Sequence, residues 1–537
     1  MRRAVGVLVA VVTLIVAGSA AEVRDTSTRL VAFASCDEMV REVRAAAVPI
    51  RVGGGPGEVA LPAATSDAAV AAASREGAGH SSTNHSGTNN HEAGVEEPDL
   101  VQTDGRRVVT VADGRLRVID AATRTVTSTV DVPGGPLSDL LLDGNRVLLV
   151  AQSELTMIDI SGPARAVGSL AVSGRYLDAR LVDGRVRIVV HSTPPPFPVY
   201  PHDALPRYTY STGGVVHEQG PLVDCGRIYR SSRPAGAILT VLTVDMAGEL
   251  RTGEPVAIAA DGNTVYGTER NLYVASTGAD RTEIHQFDIA GPGPARYVAS
   301  GSVPGALLNQ YSMSEYDGRL RVATTTGADN TVTVLERRET VLAPVGSLGG
   351  LGKGERIYAV RFLGPTGYVV TFRETDPLYT LDLGDPAAPR ATGELKITGY
   401  SAYLHSVGPD RLLGVGQEAD QQGRVLGLQV SLFDVGDAAR PARLTQYRIA
   451  GDMAQVESDS HAFLYWQPSG LLVLPTHTDA LVLRLAGDAF TEVGTIGHST
   501  PVLRSLVIGS ALWTVSQDGI QIHDATRLTP LGSIVFG

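Results

Sequence analysis

The chain has 537 residues, 43% of them hydrophobic and 19% charged, with a formal net charge of −12 at pH 7. Such a composition suits a folded chain with a sizeable core. The acidic balance argues against nonspecific nucleic-acid binding, which needs a basic field to displace counterions, so no nucleic-acid partner is expected.

At the N-terminus, Arg2 and Arg3 precede the uncharged stretch Ala4 to Ala17, followed by the small residues Gly18, Ser19, Ala20 and Ala21. A charged start, an apolar middle and small residues make a secretory signal, residues 1–21, with cleavage expected after Ala21. The apolar stretch is shorter than the roughly 20 residues a spanning helix needs, and no comparable run follows, so no membrane span is expected after cleavage. A retained, uncleaved anchor is the competing reading. The expected localisation is secreted or cell surface. In that compartment the two cysteines, Cys36 and Cys225, are expected to form a disulfide, against the alternative of two separate buried thiols.

Within the N-terminal segment 22–50, Ser35 to Val48 reads as a helix. Ser35 and Glu38 have capping-box spacing, and Met39, Val40 and Val43 fall on one face. Residues 51–94 are rich in Gly, Ala, Ser, Thr and Asn with few large apolar side chains, and are expected to be a flexible linker. The remainder, 95–537, repeats a unit of about forty residues, the period of a radial β-rich blade. Turns such as Asp104-Gly105, Asp143-Gly144, Asp183-Gly184, Asp261-Gly262 and Asp317-Gly318, and later Gly364, Gly408, Gly470 and Gly509, separate short apolar strands. The fold expected is an all-β propeller of four-stranded blades. Unit starts near Leu100, Asp139, Ala179, Val256, Tyr311, Ala359, Tyr403, Ser460 and Leu503 favour nine blades, with eight the alternative. A Pro/Tyr-rich insertion at 191–234, with Pro194, Pro195, Pro196 and Pro198 beside Tyr200, Tyr208 and Tyr210, is expected to stand outside ordinary sheet and to carry Cys225.

Three stretches carry a family resemblance. They are Thr88-Asn89-Asn90-His91-Glu92-Ala93-Gly94-Val95-Glu96-Glu97-Pro98-Asp99-Leu100-Val101-Gln102-Thr103-Asp104-Gly105, then Leu307 to Gly318 with Arg321 to Thr325, and Gly354 to Phe362 continuing through Thr371-Phe372-Arg373, Asp376 to Tyr379 and Tyr403-Leu404-His405. Together they resemble a secreted bacterial and archaeal β-propeller family distantly related to WD-repeat proteins, over roughly Cys36 to Pro475. The chain departs from that pattern at Glu96-Glu97, at Gln102 and at Asp459-Ser460-His461. The resemblance implies an exported propeller and carries no catalytic mechanism.

No catalytic residue is assigned. A Gly-x-Ser-x-Gly elbow is absent, and two tryptophans are too few for a quinone-type propeller with a docking motif in each blade. No cofactor is therefore expected. Aligning the innermost strands puts Arg180, Arg361, His405 and Arg504 at similar positions, where converging cations at a channel mouth could hold an anionic ligand through bidentate contacts. Against that stands pairing with acids such as Glu315, Glu355, Asp376 or Asp459, since buried charges are ordinarily paired. His80, His85 and His91, with Glu92, Glu96, Glu97 and Asp99, have the chemistry of metal ligands but lie in a tract without a rigid surround, and no metal is assigned. The function expected is non-catalytic binding or scaffolding for an extracellular or cell-wall protein or polysaccharide. The alternative is a hydrolase or lyase acting on an anionic extracellular substrate at the channel mouth.

Overall fold

A computed structural model describes residues 31–46, 84–132, 138–195, 201–278, 280–327, 329–372, 376–420, 424–477 and 479–536. The expected signal segment and residues 51–83 of the expected linker lie outside these. Asp-Gly pairs close hairpins because both turn residues take left-handed backbone: φ is 48° and 71° at Asp183 and Gly184, and 51° and 72° at Asp317 and Gly318. Two-residue turns of that kind match the right-handed twist of paired strands.

Between the turns the chain forms runs of four sequential antiparallel strands. The first run is Val101–Thr103, Arg107–Ala112, Arg115–Asp120 and Thr125–Asp131. Successive runs begin with Asp139–Asp143, Arg175–Val182, Thr264–Gly267, Met313–Tyr316, Arg356–Leu363, Tyr400–Gly408, Leu464–Trp466 and Val502–Ile508. Among the described residues the strands make nine such runs but eight hydrogen-bonded sheets, because Ser300 of the fourth run bridges to Val341 of the fifth. The expectation of a unit start at Val256 is corrected. The strand Val256–Ala259 pairs with Ile238–Asp245 and ends the third run, and the fourth begins at Thr264. The insertion lies inside the third run and displaces the period there.

Second and third strands read as continuous apolar runs because each is sandwiched between neighbouring sheets. Arg411–Ala419 is buried from Leu412 onward, whereas the fourth strand of the same run, Ala442–Ala450, is largely open to solvent. Apolar clusters join successive runs. Val109 and Leu116 pack with Leu140 and Val147, and Leu413 and Val415 pack with Leu472 and Leu474. One further cluster joins Val101, Val108 and Ile119 of the first run to Leu506, Trp513 and Ile520 of the ninth, so the ring closes. Fourth strands face outward and first strands face the axis, the arrangement of a β-propeller.

Helix α1, Cys36–Ala46, buries Met39, Val40 and Val43 as its periodicity requires. The Glu38 backbone N–H donates to Ser35 Oγ (3.2 Å), and Glu38 Oε2 accepts from the Ala34 N–H (3.0 Å). The helix packs on Ile228, Ile238, Ala257 and Ala259 of the third run and its insertion. The Cys36–Cys225 disulfide, with Cα atoms 5.3 Å apart, holds it there. The insertion differs from expectation. Arg207–Thr212 and Val215–Pro221 form a hairpin that extends the second sheet to six strands, because Tyr208 to Ser211 pair with Ser169 to Val172. The prolines, which lack a ladder donor, precede this hairpin and leave its strands free to pair.

Candidate functional site in the filled channel

Residues 84–100 run round the inside of the ring, visiting the runs in roughly reverse order before entering the first strand. His85 bridges to Ile508, and the Ser86 N–H donates to Val507 O (2.8 Å). Asn89 Nδ2 donates to Tyr403 Oη (2.9 Å) and Ser460 O (2.8 Å). The His91 ring sits 4.9 Å from that of Tyr266 and 5.0 Å from that of Tyr311. Glu96 then bridges to Leu181, and Asp99 to Leu140. Residues 84–94, expected as flexible linker, are thus an ordered inner lining. Their small polar side chains find partners on the channel wall, a possibility that composition does not reveal.

Glu97, 2% exposed, is the hub. Its carboxylate meets Arg180 Nη2 (3.4 Å) and His461 Nε2 (3.2 Å), and accepts from Gln310 Nε2 at 3.3 and 3.4 Å. Arg180 also pairs with Asp178 (2.7 Å) and donates to Gln310 Oε1. Arg504 Nε meets Asp99 at 2.5 Å, and its Nη1 meets Asp459 at 2.7 Å. Burial raises the cost of ionising Glu97, but the Arg180 charge and the His461 contact outweigh it and hold the carboxyl at about 2. Burial disfavours the His461 imidazolium, yet Asp99 and Glu97 more than offset this and raise it to about 9. At neutral pH this is a mutually neutralised network of buried charges. Gln102 joins it, donating to Glu97 O (2.9 Å) and accepting from the Leu142 N–H (2.6 Å).

The candidate ligand-binding residues therefore need correction. Arg180, Arg361 and Arg504 are 1%, 1% and 5% exposed, so they are buried and not set at an open mouth. Arg180 and Arg504 spend their guanidinium groups on internal carboxylates, the pairing alternative. Of the acids proposed as partners, Asp459 does pair with Arg504. Glu315 instead binds Asn271 and Tyr273, and Glu355 binds Thr371; the Asp376 side chain lies outside the described residues. Arg361 lies 5.1 Å over the Tyr311 ring and 6.0 Å over that of Tyr403. His405 is packed against Tyr403, Phe463 and Tyr465. Burial, assisted by the Arg361 charge, lowers it to about 3, which leaves it neutral. Among the described residues no cluster of His, Cys, Asp and Glu is arranged to hold a metal; His80 lies outside them.

Two groups beside the network keep acid-base character: Asp139, which burial and the Asp99 charge raise to about 6, and Glu92. Tyr266 Oη donates to Glu92 Oε1 (2.6 Å) and accepts from the Glu315 N–H (2.7 Å). Burial raises Glu92 to about 7, within reach of proton exchange at neutral pH. Sequence reasoning considered Glu92 and Glu97 only as metal ligands and did not assign Asp99, Gln310 or His461 to the channel. The available signal was that the departures from the family pattern, Glu97, Gln102 and His461, are mutual contacts in space. Two clefts, of about 480 and 500 Å³, open elsewhere, and neither is lined by a member of the network.

A ring of four-stranded antiparallel runs closed by an apolar seam makes this an all-β propeller. Residues 85–528 match the family described as Beta propeller domain, and the chain belongs to that family. An uncharacterized protein of Archaeoglobus fulgidus is 27% identical over 82% of this chain and 83% of its own length. One of Methanocaldococcus jannaschii is 39% identical over 44% of this chain, a match that spans 38% of that relative. Among solved structures, a eukaryotic initiation factor aligns at 11% identity and TM-score 0.47, over 80% of this chain and 96% of that one. A computationally designed protein, Ika8, aligns at 10% identity and TM-score 0.40, over 79% and 95%.

Proposed function

We propose that this chain is an exported, non-catalytic binding or scaffold propeller that presents its outer surface and its insertion to an extracellular or cell-wall protein or polysaccharide. The observation that carries this reading is the filled channel. The inner lining of residues 84–100 occupies the place where propellers commonly hold small ligands, and the Arg180 and Arg504 guanidinium groups are bound to Glu97, Asp178, Asp99 and Asp459. Function then falls to surfaces, for which a rigid closed ring is a suitable support. Signal-like N-terminal residues and a disulfide support an oxidising location.

A hydrolase or lyase acting on an anionic extracellular substrate is the second reading, favoured chiefly by Glu92, a carboxyl raised to about 7 against a tyrosine hydroxyl. The two readings separate in one experiment. The purified chain is mixed with isolated cell walls, and both co-sedimentation and release of soluble fragments are measured for wild type and Glu92→Gln. Co-sedimentation without fragment release, unchanged by Glu92→Gln, is expected. Fragment release that disappears in Glu92→Gln would replace the binding reading with the enzymatic one, and recovery of the native protein only from cytoplasm would remove the export.

A further inference from the structure

The cleft of about 480 Å³ lies on the outer side of the ring, where the insertion meets the third, fourth and fifth runs. Buried Val256, Ala295 and Tyr297 underlie it, the partly exposed Tyr229 is set edge-on to Tyr297 at 5.4 Å, and the surface that the cleft opens to solvent is mostly polar. Three arginines from separate elements line it: Arg227 beside the Cys36–Cys225 bond, Arg296 in the strand Arg296–Pro304, and Arg337 in Asp329–Arg338. Arg296 pairs with Asp288, and Arg227 pairs loosely with Glu254 at 3.6 Å. Among the described residues the Arg337 side chain has no ion pair or hydrogen bond.

We infer that this cleft binds an anionic sugar unit, a ring-sized body carrying a carboxylate or phosphate. Three observations converge on this. The volume falls within the range of small-ligand sites, roughly 300–1,000 Å³. A chain of net charge −12 concentrates three guanidinium groups here, with an uncommitted one at Arg337. Exposed ion pairs such as Arg227–Glu254 and Arg296–Asp288 are worth little, so a ligand oxyanion can displace or share them, and guanidinium forks suit carboxylate and phosphate alike. Of the two tyrosines only Tyr229 is partly exposed, and its ring is the surface against which a sugar ring can pack. The choice of a sugar rests on the binding function proposed above, whereas the anion site itself does not.

The test is titration calorimetry on the full disulfide-bonded chain with tetragalacturonate, glucose 6-phosphate and neutral maltotetraose. Wild type is expected to bind at least one anionic probe, with affinity falling as salt rises, and not to bind maltotetraose. Arg337→Gln, an exposed and unpaired position expected to leave the fold intact, should weaken that binding by about tenfold, as loss of one charge-assisted contact would. Arg227→Gln, in the neighbouring wall, serves as the second variant. Which anion binds distinguishes a carboxylate from a phosphate source. Failure of both anions, equal binding of maltotetraose, or affinities unchanged in both variants would overturn the site. Should the calorimetry overturn the site while wild-type co-sedimentation with cell walls persists, the general binding function stands without it.

Discussion

Glu97→Gln tests whether the channel network is ionised and holds the ring together. The substitution preserves size and one acceptor oxygen but removes the charge shared by Arg180 and His461. The carboxyl sits at about 2 against an ordinary 4.5, and at about 1.4 kcal/mol per unit its ionised form is favoured by about 3 kcal/mol in the folded state. That agrees with the roughly 3–5 kcal/mol lost when one member of a buried pair is removed. A depressed carboxyl contributes stability that is present above its unfolded value and lost as pH falls through the folded one, here between 4.5 and 2. The His461 contribution has the opposite sign, complete below 6.5 and lost as pH rises through about 9. Urea unfolding followed by fluorescence of Trp466 and of Trp513, which is 1% exposed, should therefore show a deficit of about 3 kcal/mol near pH 6. The deficit should fall to roughly half at pH 3, where the carboxyl is protonated in the unfolded chain but still ionised in the folded one, and should be smaller above pH 9 once His461 is neutral. A deficit below about 1 kcal/mol at pH 6, or one equally large at pH 3, would refute the ionised hub.

Glu92→Gln should act in the other direction. A carboxyl raised to about 7 loses stability for the fold as pH rises from 4.5 through 7, so the variant should match wild type at pH 4 and exceed it by up to about 3 kcal/mol at pH 8.5; equal stabilities at both pH values would show that Glu92 is not perturbed. Reducing the Cys36–Cys225 bond, or replacing both cysteines with serine, opens a loop of 189 residues. In the chain-entropy view that costs about 5 kcal/mol at most, with earlier protease cleavage near α1, and identical urea midpoints with and without reductant would mean that the bond does not constrain unfolding.

What the sequence discloses is governed by repetition. Hairpin turns at Asp183-Gly184 and Asp317-Gly318 recur because each run solves the same packing problem, and the middle strands announce burial by continuous apolar runs such as Leu471 to Pro475. Helix α1 is legible for a local reason, a cap at Ser35 followed by one apolar face. Where repetition fails, so does the reading. The insertion places Val256 in the last strand of its run instead of at the start of the next, and the Arg207–Pro221 hairpin joins the second sheet through pairing with Ser169 to Val172, a contact that neither segment signals locally.

The channel shows the same limit more sharply. Strand alignment sets Arg180, Arg361, His405 and Arg504 at similar positions, and by themselves those positions describe an unneutralised cationic pore. The missing negative charges come from a non-repeating segment upstream of the first strand, Glu97 and Asp99, from Asp459 in a connection between runs, and from Asp178 next to Arg180, while His461 joins as a further cation. Their pairing is a property of ring closure, since Arg504 of the last run meets Asp99 immediately before the first. The same contacts that cancel the channel's charge therefore bring the two ends of the repeat together, and this makes the filled channel a structural seam and directs the search for ligands to the outer clefts.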